Sequence, residues 1–208
     1  MKKIISLFCI CFFYFNALKS QQLRISVFEG WTLEKVIDNY HYENDYYEGT
    51  IEGSWRQGLG IAFFFDNAFD VGILYYRQYT NIPATYYTPT TSLDKNFDLR
   101  IQWALLEFTA YLLKKRFRSF LGSDIGMGFF KLKDPSASIE SSRTKFTWGG
   151  HLGTEFSFSK FVALKLKADF LYSVRLNDSP SHADIIAYNY YLQTGFSAGL
   201  VVKINIRK

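Results

Sequence analysis

Cysteine is nearly absent: the 208 residues hold two, Cys9 and Cys11, both near the amino terminus. Beyond residue 20 there is no thiol, hence no disulfide and no thiol chemistry. No run of 18 apolar residues occurs, so no helix of the length needed to cross a membrane is expected. Histidine is scarce, with three residues, and none lies in a recognisable nucleophile motif. A basic stripe with interleaved aromatics is also missing. The net charge of +5 falls to +2 once Lys2, Lys3 and Lys19 are set aside, too little to argue for nucleic acid.

What the chain has in excess is aromatic side chains, 15 Tyr, 21 Phe and 4 Trp, at a mean hydropathy near zero. That combination suits a chain whose apolar and polar residues alternate rather than cluster. A tyrosine-rich soluble β protein would share the composition, so the pattern has to decide.

The amino terminus reads as an export signal. Lys2 and Lys3 precede a short apolar run from Ile4 to Phe15. Ala17 and Ser20 are candidate cleavage positions. Ser6-Leu7-Phe8 before Cys9 lacks the small residues of a lipoprotein site. The expected division is residues 1–20 as signal peptide and 21–208 as one barrel.

Period-2 alternation then repeats along the chain. Leu192, Thr194, Phe196, Ala198, Leu200, Val202 and Ile204 share one face of the last segment, opposite Gln193, Gly195, Ser197, Gly199 and Lys203. Val162, Leu164, Leu166, Ala168 and Phe170 oppose Lys165, Lys167, Asp169 and Arg175. Phe146, Trp148, Leu152 and Phe156 oppose Lys145, His151 and Glu155. Similar segments start at Leu23, Trp55, Phe69 and Phe117, and the face of Trp55 is expected to include Phe63 and Phe65. From Phe97 to Leu113 the apolar parity switches near Ala104–Leu106, which a β-bulge or a different register would explain.

Connectors alternate in length. Short turns are expected near residues 66–68, 114–116 and 158–160, and long polar loops near 33–50, 82–95, 133–144 and 177–187. Eight strands with alternating short turns and long loops follow the outer-membrane plan. In lipid every backbone amide must be paired internally, so strands cross only as a closed barrel. The reading is an all-β, eight-stranded antiparallel up-and-down transmembrane β-barrel in a bacterial outer membrane, apolar face outward and polar face inward.

The stretch from Gly149 to Phe156, followed by Lys160 to Phe170, resembles the penultimate hairpin of the OmpA/OmpX-type outer-membrane β-barrel family. A glycine-rich strand ends in an acidic–aromatic pair, turns tightly and continues as alternating apolar and charged residues. The resemblance implies the barrel and says almost nothing of activity. Members of that family usually end in an aromatic residue, whereas this chain ends Ile206-Arg207-Lys208. No peptidoglycan-binding domain is expected after the barrel.

The inward positions predict a salt-bridged filling of Arg24, Arg56, Glu107, Arg118, Asp124, Glu155, Lys165, Lys167, Asp169 and Arg175, because an unpaired buried charge is costly. His151 is expected in the lumen near the neighbours of Glu155, and His41 and His182 in outer loops. No catalytic residue, cofactor or metal site is assigned. Ser179, Ser181 and Asp184 around His182 read as a plain polar loop, and Glu43, Asp45 and Glu48 as a solvated acidic loop without calcium-site spacing.

The loops carry the candidate interaction residues Tyr40, Tyr42, Tyr46, Tyr47, Tyr86 and Tyr87, since tyrosine offers a stiff contact surface. An interfacial aromatic girdle is the competing reading for them. The expected role is structural, anchoring or partner binding, within outer-membrane lipid and lipopolysaccharide and as an accessory subunit of a larger complex. A lipid A-modifying enzyme and a small narrow porin are the alternatives.

Overall fold

A computed structural model of the chain describes residues 22–42, 45–65, 68–112, 116–135, 139–175 and 190–206. The expected signal segment and the loop at 177–187 lie outside them. Among the described residues no helix is long and apolar enough to cross a membrane.

Among the described residues ten antiparallel strands follow one another: β1 (Gln22–Thr32), β2 (Lys35–Tyr42), β3 (Asp45–Ile51), β4 (Trp55–Phe65), β5 (Phe69–Tyr87), β6 (Ser92–Tyr111), β7 (Phe117–Asp134), β8 (Ile139–Ser157), β9 (Val162–Arg175) and β10 (Tyr190–Asn205). Eight of them, β1 and β4 to β10, close a ring. β1 pairs with both β4 and β10, and β5 with both β4 and β6. β2 and β3 form a hairpin outside the ring that docks along upper β5, from Tyr46↔Tyr87 to Gly49↔Ala84.

Most of the expected long loops are therefore sheet. The β5–β6 ladder runs unbroken from Phe69↔Ala110 to Tyr87↔Ser92. Its tip closes where the Thr88 N–H donates to the Thr91 carbonyl at 2.8 Å. The β7–β8 ladder continues to Asp134↔Ile139. Buried Ile82, Ala84 and Phe97 supply the apolar contacts that hold these extensions together. The opposite end has tight turns. There Ala68 N–H donates to Phe65 O at 2.9 Å, and Ser159 Oγ accepts from Phe161 and Val162 N–H at 3.1 Å each.

The expected bulge in β6 is absent. Its registers with β5 and β7 are both uninterrupted, and every odd residue from Phe97 to Tyr111 is buried. The apolar parity switches because the surroundings change. Along the tall upper part, Phe97, Leu99, Ile101, Trp103 and Leu105 point inward, while Asp98, Arg100 and Gln102 point outward. Below it the outward residues are Leu106 and Phe108, and the inward ones Glu107, Thr109 and Tyr111.

The outward apolar belt therefore holds only for the lower barrel, and the inward filling turns mainly apolar above it, with Gln78, Lys145 and Gln193 buried there as well. Val27, Ile61, Ile73, Leu121, Leu152, Leu166, Leu200 and Val202 are all more than 40% exposed in that lower part, as a lipid-facing wall requires. The upper lumen is an apolar core in which Trp103, Phe130 and Tyr191 interlock, with ring centroids 6.3 and 5.2 Å apart. Phe65 departs from its expected outward place. It is buried and stacks on Phe69 at 5.3 Å, while Phe64 fills the lumen floor.

Candidate functional site

Three regions could carry function: the ionic lumen, the apolar layer above it, and the sheet that stands over both. At the lumen floor Arg24 Nη1 lies 3.1 Å from Glu155 and 3.5 Å from Asp70. It also donates to the Tyr111 hydroxyl at 2.7 Å, which in turn donates to Asp70 at 2.8 Å. Lys203 meets the other Glu155 oxygen at 2.7 Å. The Arg24 guanidinium rests 3.7 Å over the Phe64 ring. Arg118 sits on the Glu155 rung, 5.4 Å from the same ring.

One layer up, Glu107 accepts from Lys165 at 2.9 Å and Lys167 at 3.1 Å. Thr109 also donates to Glu107, at 3.1 Å, and lies 3.0 Å from His151 Nε2. His151 Nδ1 is 2.9 Å from Asp124. Higher still, Arg56 pairs with Asp169 at 2.6 Å and lies over the Tyr76 ring at 4.2 Å.

Nine of the ten residues expected in the lumen are described there, and Arg175's side chain lies outside the described ones. Three partners lie outside the expected ten. Asp70 and Lys203 carry inward parity and were legible by that signal. Tyr111 was hidden by the parity switch of β6. His151 turns to Asp124 and Thr109 rather than toward Glu155. Gly122 allows this, because a Cβ there would run into the imidazole.

Glu107, Asp124 and His151 bring donor atoms within 4.8 Å of one another. A divalent cation would find Glu107 already neutralised by two ammonium groups and both His151 nitrogens engaged. Asp124, His151 and Thr109 stand in the order of an acid–base–hydroxyl relay. Yet Thr109 is 3% exposed and its hydroxyl proton goes to Glu107. The cavity beside Glu107 and Tyr111 holds about 20 Å³, room for one water and no substrate.

The tyrosines assemble on the docked hairpin. One rung carries Tyr40, Tyr47 and Tyr86, and the next His41, Tyr46 and Tyr87. Tyr47 and Tyr86 stack at 4.7 Å, and Tyr47, 4% exposed, also meets Phe97 edge-on at 6.0 Å. This pair is core. On the other face Tyr46 and Tyr87 stack nearly parallel at 4.5 Å. Desolvation, the Glu48 carboxylate and Tyr46 hold the Tyr87 phenol above its ordinary range. The side chains of Tyr40 and Tyr42 lie outside the described residues.

Ten residues of strand, about 33 Å, separate Tyr87 from Arg77, where the wall turns polar. Lower on the wall, Trp31 meets Trp55 at 5.7 Å and Trp148 meets Tyr172 at 5.4 Å.

No protein-family model matches the chain, and no curated protein matches it in sequence. Solved structures do match. The Neisserial surface protein A barrel superposes with a TM-score of 0.59 at 13% identity, covering 89% of this chain and 98% of that one. OprG of Pseudomonas aeruginosa gives 0.56 at 12%, covering 90% and 97%. Ail of Yersinia pestis, in complex with the heparin analogue sucrose octasulfate, gives 0.54 at 12%, covering 88% and 98%. The chain has the fold of the eight-stranded OmpA/OmpX-like barrels of bacterial outer membranes. Its oily outward belt fits that setting.

Proposed function

We propose that this barrel is a membrane-anchored binding protein whose projecting sheet of β2, β3, β5 and β6 meets a partner outside the cell. The Tyr46–Tyr87 stack carries the reading. It is a rigid aromatic surface, set well above the membrane, on a hairpin docked to a closed scaffold. The lumen supplies stability rather than passage. Paired charges fill its lower half, and Trp103, Phe130 and Tyr191 cap it. A narrow pore would have to breach that cap. A lipid-modifying enzyme would need an accessible nucleophile where Thr109 is enclosed.

In this reading residues 1–20 direct export, lipopolysaccharide surrounds the wall, and the partner belongs to a larger outer-membrane assembly or lies beyond the cell. That a similar barrel, Ail, was crystallised with a polysulfated saccharide supports an external ligand. The test is cross-linking on intact cells with Tyr46→Ser/Tyr87→Ser. The variant should keep heat-modifiable migration and lose the partner band. An undiminished band with the variant would refute the proposal.

A further inference from the structure

The outward face of the projecting sheet carries charge of one sign at its tip. Its positions on β3, on β5 beyond Asn81 and on β6 before Asp98 include the carboxylates Glu48 and Asp94 and, among the described residues, no lysine or arginine. Nearer the membrane the same face is mixed. There Arg77, Arg100, Lys131 and Lys133 are offset by Glu52, Asp98 and Glu140.

Tyr87 supplies the second feature. One face of its ring lies on Tyr46, across the β3–β5 pair, at an interplanar angle of 12°. The other face turns toward β6, where its rung neighbour is the exposed Ser92, a side chain too short to cover a ring. Asp94 is the diagonal neighbour of Tyr87 on the same side of the sheet, about 7–8 Å away and within reach of a long side chain laid on the ring. Thr85 donates to Asp94 Oδ1 at 2.8 Å, which fixes the carboxylate and leaves Oδ2 for an incoming donor. On the other side Glu48 is hydrogen-bonded to the Tyr87 phenol.

Spacing decides between occupants. Glu48 and Asp94 share one rung on either side of Thr85, two strand spacings or about 10 Å apart. A single metal ion, with oxygen ligands at about 2.3–2.6 Å, cannot bridge them. Two cationic side chains of one extended segment can. The guanidinium suits the place beside Tyr87 better than an ammonium does. It is planar, so it stacks on an aromatic face while its fork of N–H donors meets a carboxylate. A polyanion is repelled by both carboxylates. We infer that the partner of the projecting sheet presents a basic, arginine-bearing protein segment. One arginine lies flat on Tyr87 with its guanidinium on Asp94, and a second basic residue meets Glu48. The inference deepens the binding reading above and rests on it.

The test uses the folded barrel in phosphatidylcholine nanodiscs and three dye-labelled peptides, with arginine, lysine or citrulline at every third position, read by fluorescence anisotropy. The arginine peptide should bind about threefold more tightly than the lysine one, and the uncharged citrulline peptide should not bind. Each neutralised carboxylate should weaken arginine binding about threefold, so Glu48→Gln/Asp94→Asn loses about tenfold. Glu52→Gln/Glu140→Gln, at exposed carboxylates lower on the face, should leave binding unchanged. Tyr87→Leu should erase the preference for arginine over lysine. Should the double variant fail to refold, Asp94→Asn alone reads the threefold loss. Equal arginine binding by the unaltered and Glu48→Gln/Asp94→Asn barrels overturns the inference. So does lysine binding as tight as arginine binding, which would assign the face to any polycation. The intact-cell assay separates the two readings. A partner band lost with Tyr46→Ser/Tyr87→Ser but kept with Glu48→Gln/Asp94→Asn overturns this inference and leaves the binding reading standing.

Discussion

Trp103 and Glu107 lie on the same lumenal face of β6, four residues or about 13 Å apart, yet in opposite surroundings. Trp103 packs on Phe130 in an apolar core, whereas Glu107 is gripped by Lys165 and Lys167 at 2.9 and 3.1 Å. Outside the strand the change runs the other way, from Gln102 to Leu106. Above the membrane the sheet has water outside, so its stability must come from apolar residues within. Inside the membrane the outer face already sits in hydrocarbon. The lumen there can be ionic, provided its charges are paired.

The apolar cap should be a major source of stability. Trp103→Ala removes a fully buried indole and should cost about 3–5 kcal/mol, read as a lower urea midpoint in detergent. Leu106→Ala, on the lipid face, should cost clearly less. Equal losses at the two positions would contradict the assignment of faces.

Glu107 holds two ammonium groups in a buried site. Glu107→Gln leaves Lys165 and Lys167 unpaired and should cost about 3–5 kcal/mol. The triple variant Glu107→Leu/Lys165→Met/Lys167→Met, with no charge to strand, should recover most of that loss. A single variant as stable as the parent would mean the network contributes nothing.

The projecting sheet should weaken in alkali. Burial by its neighbours, then the Glu48 charge, raises the Tyr87 phenol above its ordinary value. The neutral phenol is thus the form the folded sheet favours. Its contribution is complete below the unfolded value near 10 and is lost as pH climbs through the raised one. Glu48→Gln should lower the midpoint, followed by NMR of labelled tyrosine with Tyr87→Phe assigning the signal. A midpoint unmoved by the substitution would remove Glu48 as a cause.

Much of this architecture was legible because alternation is a direct trace of a two-faced wall. Leu200 and Val202 outward with Lys203 inward needed only period 2, and that signal placed nine lumenal residues. It misled at β6, where the parity rule held but the sign of the environment reversed, so a bulge was expected. The β2–β3 hairpin was read as loop because Tyr46 and Tyr47 face different surroundings and show no apolar stripe. The outward cations Arg77, Arg100, Lys131 and Lys133 were missed for a related reason. Each lies in a strand whose lower part is lipid-facing, and only the register sets them side by side.

The membrane border on β6 is the most direct test of the account. In a chain lacking Cys9 and Cys11, single nitroxide labels would be placed at each position from 98 to 110 of the lipid-embedded barrel. Access to dissolved oxygen and to a water-soluble nickel chelate would be compared at each. Labels at Ala104, Leu106, Phe108 and Ala110 should meet oxygen, those at Asp98 and Arg100 the chelate, and those at odd positions neither. Chelate access at Leu106 and Phe108, or oxygen access at Trp103 and Leu105, would contradict the account.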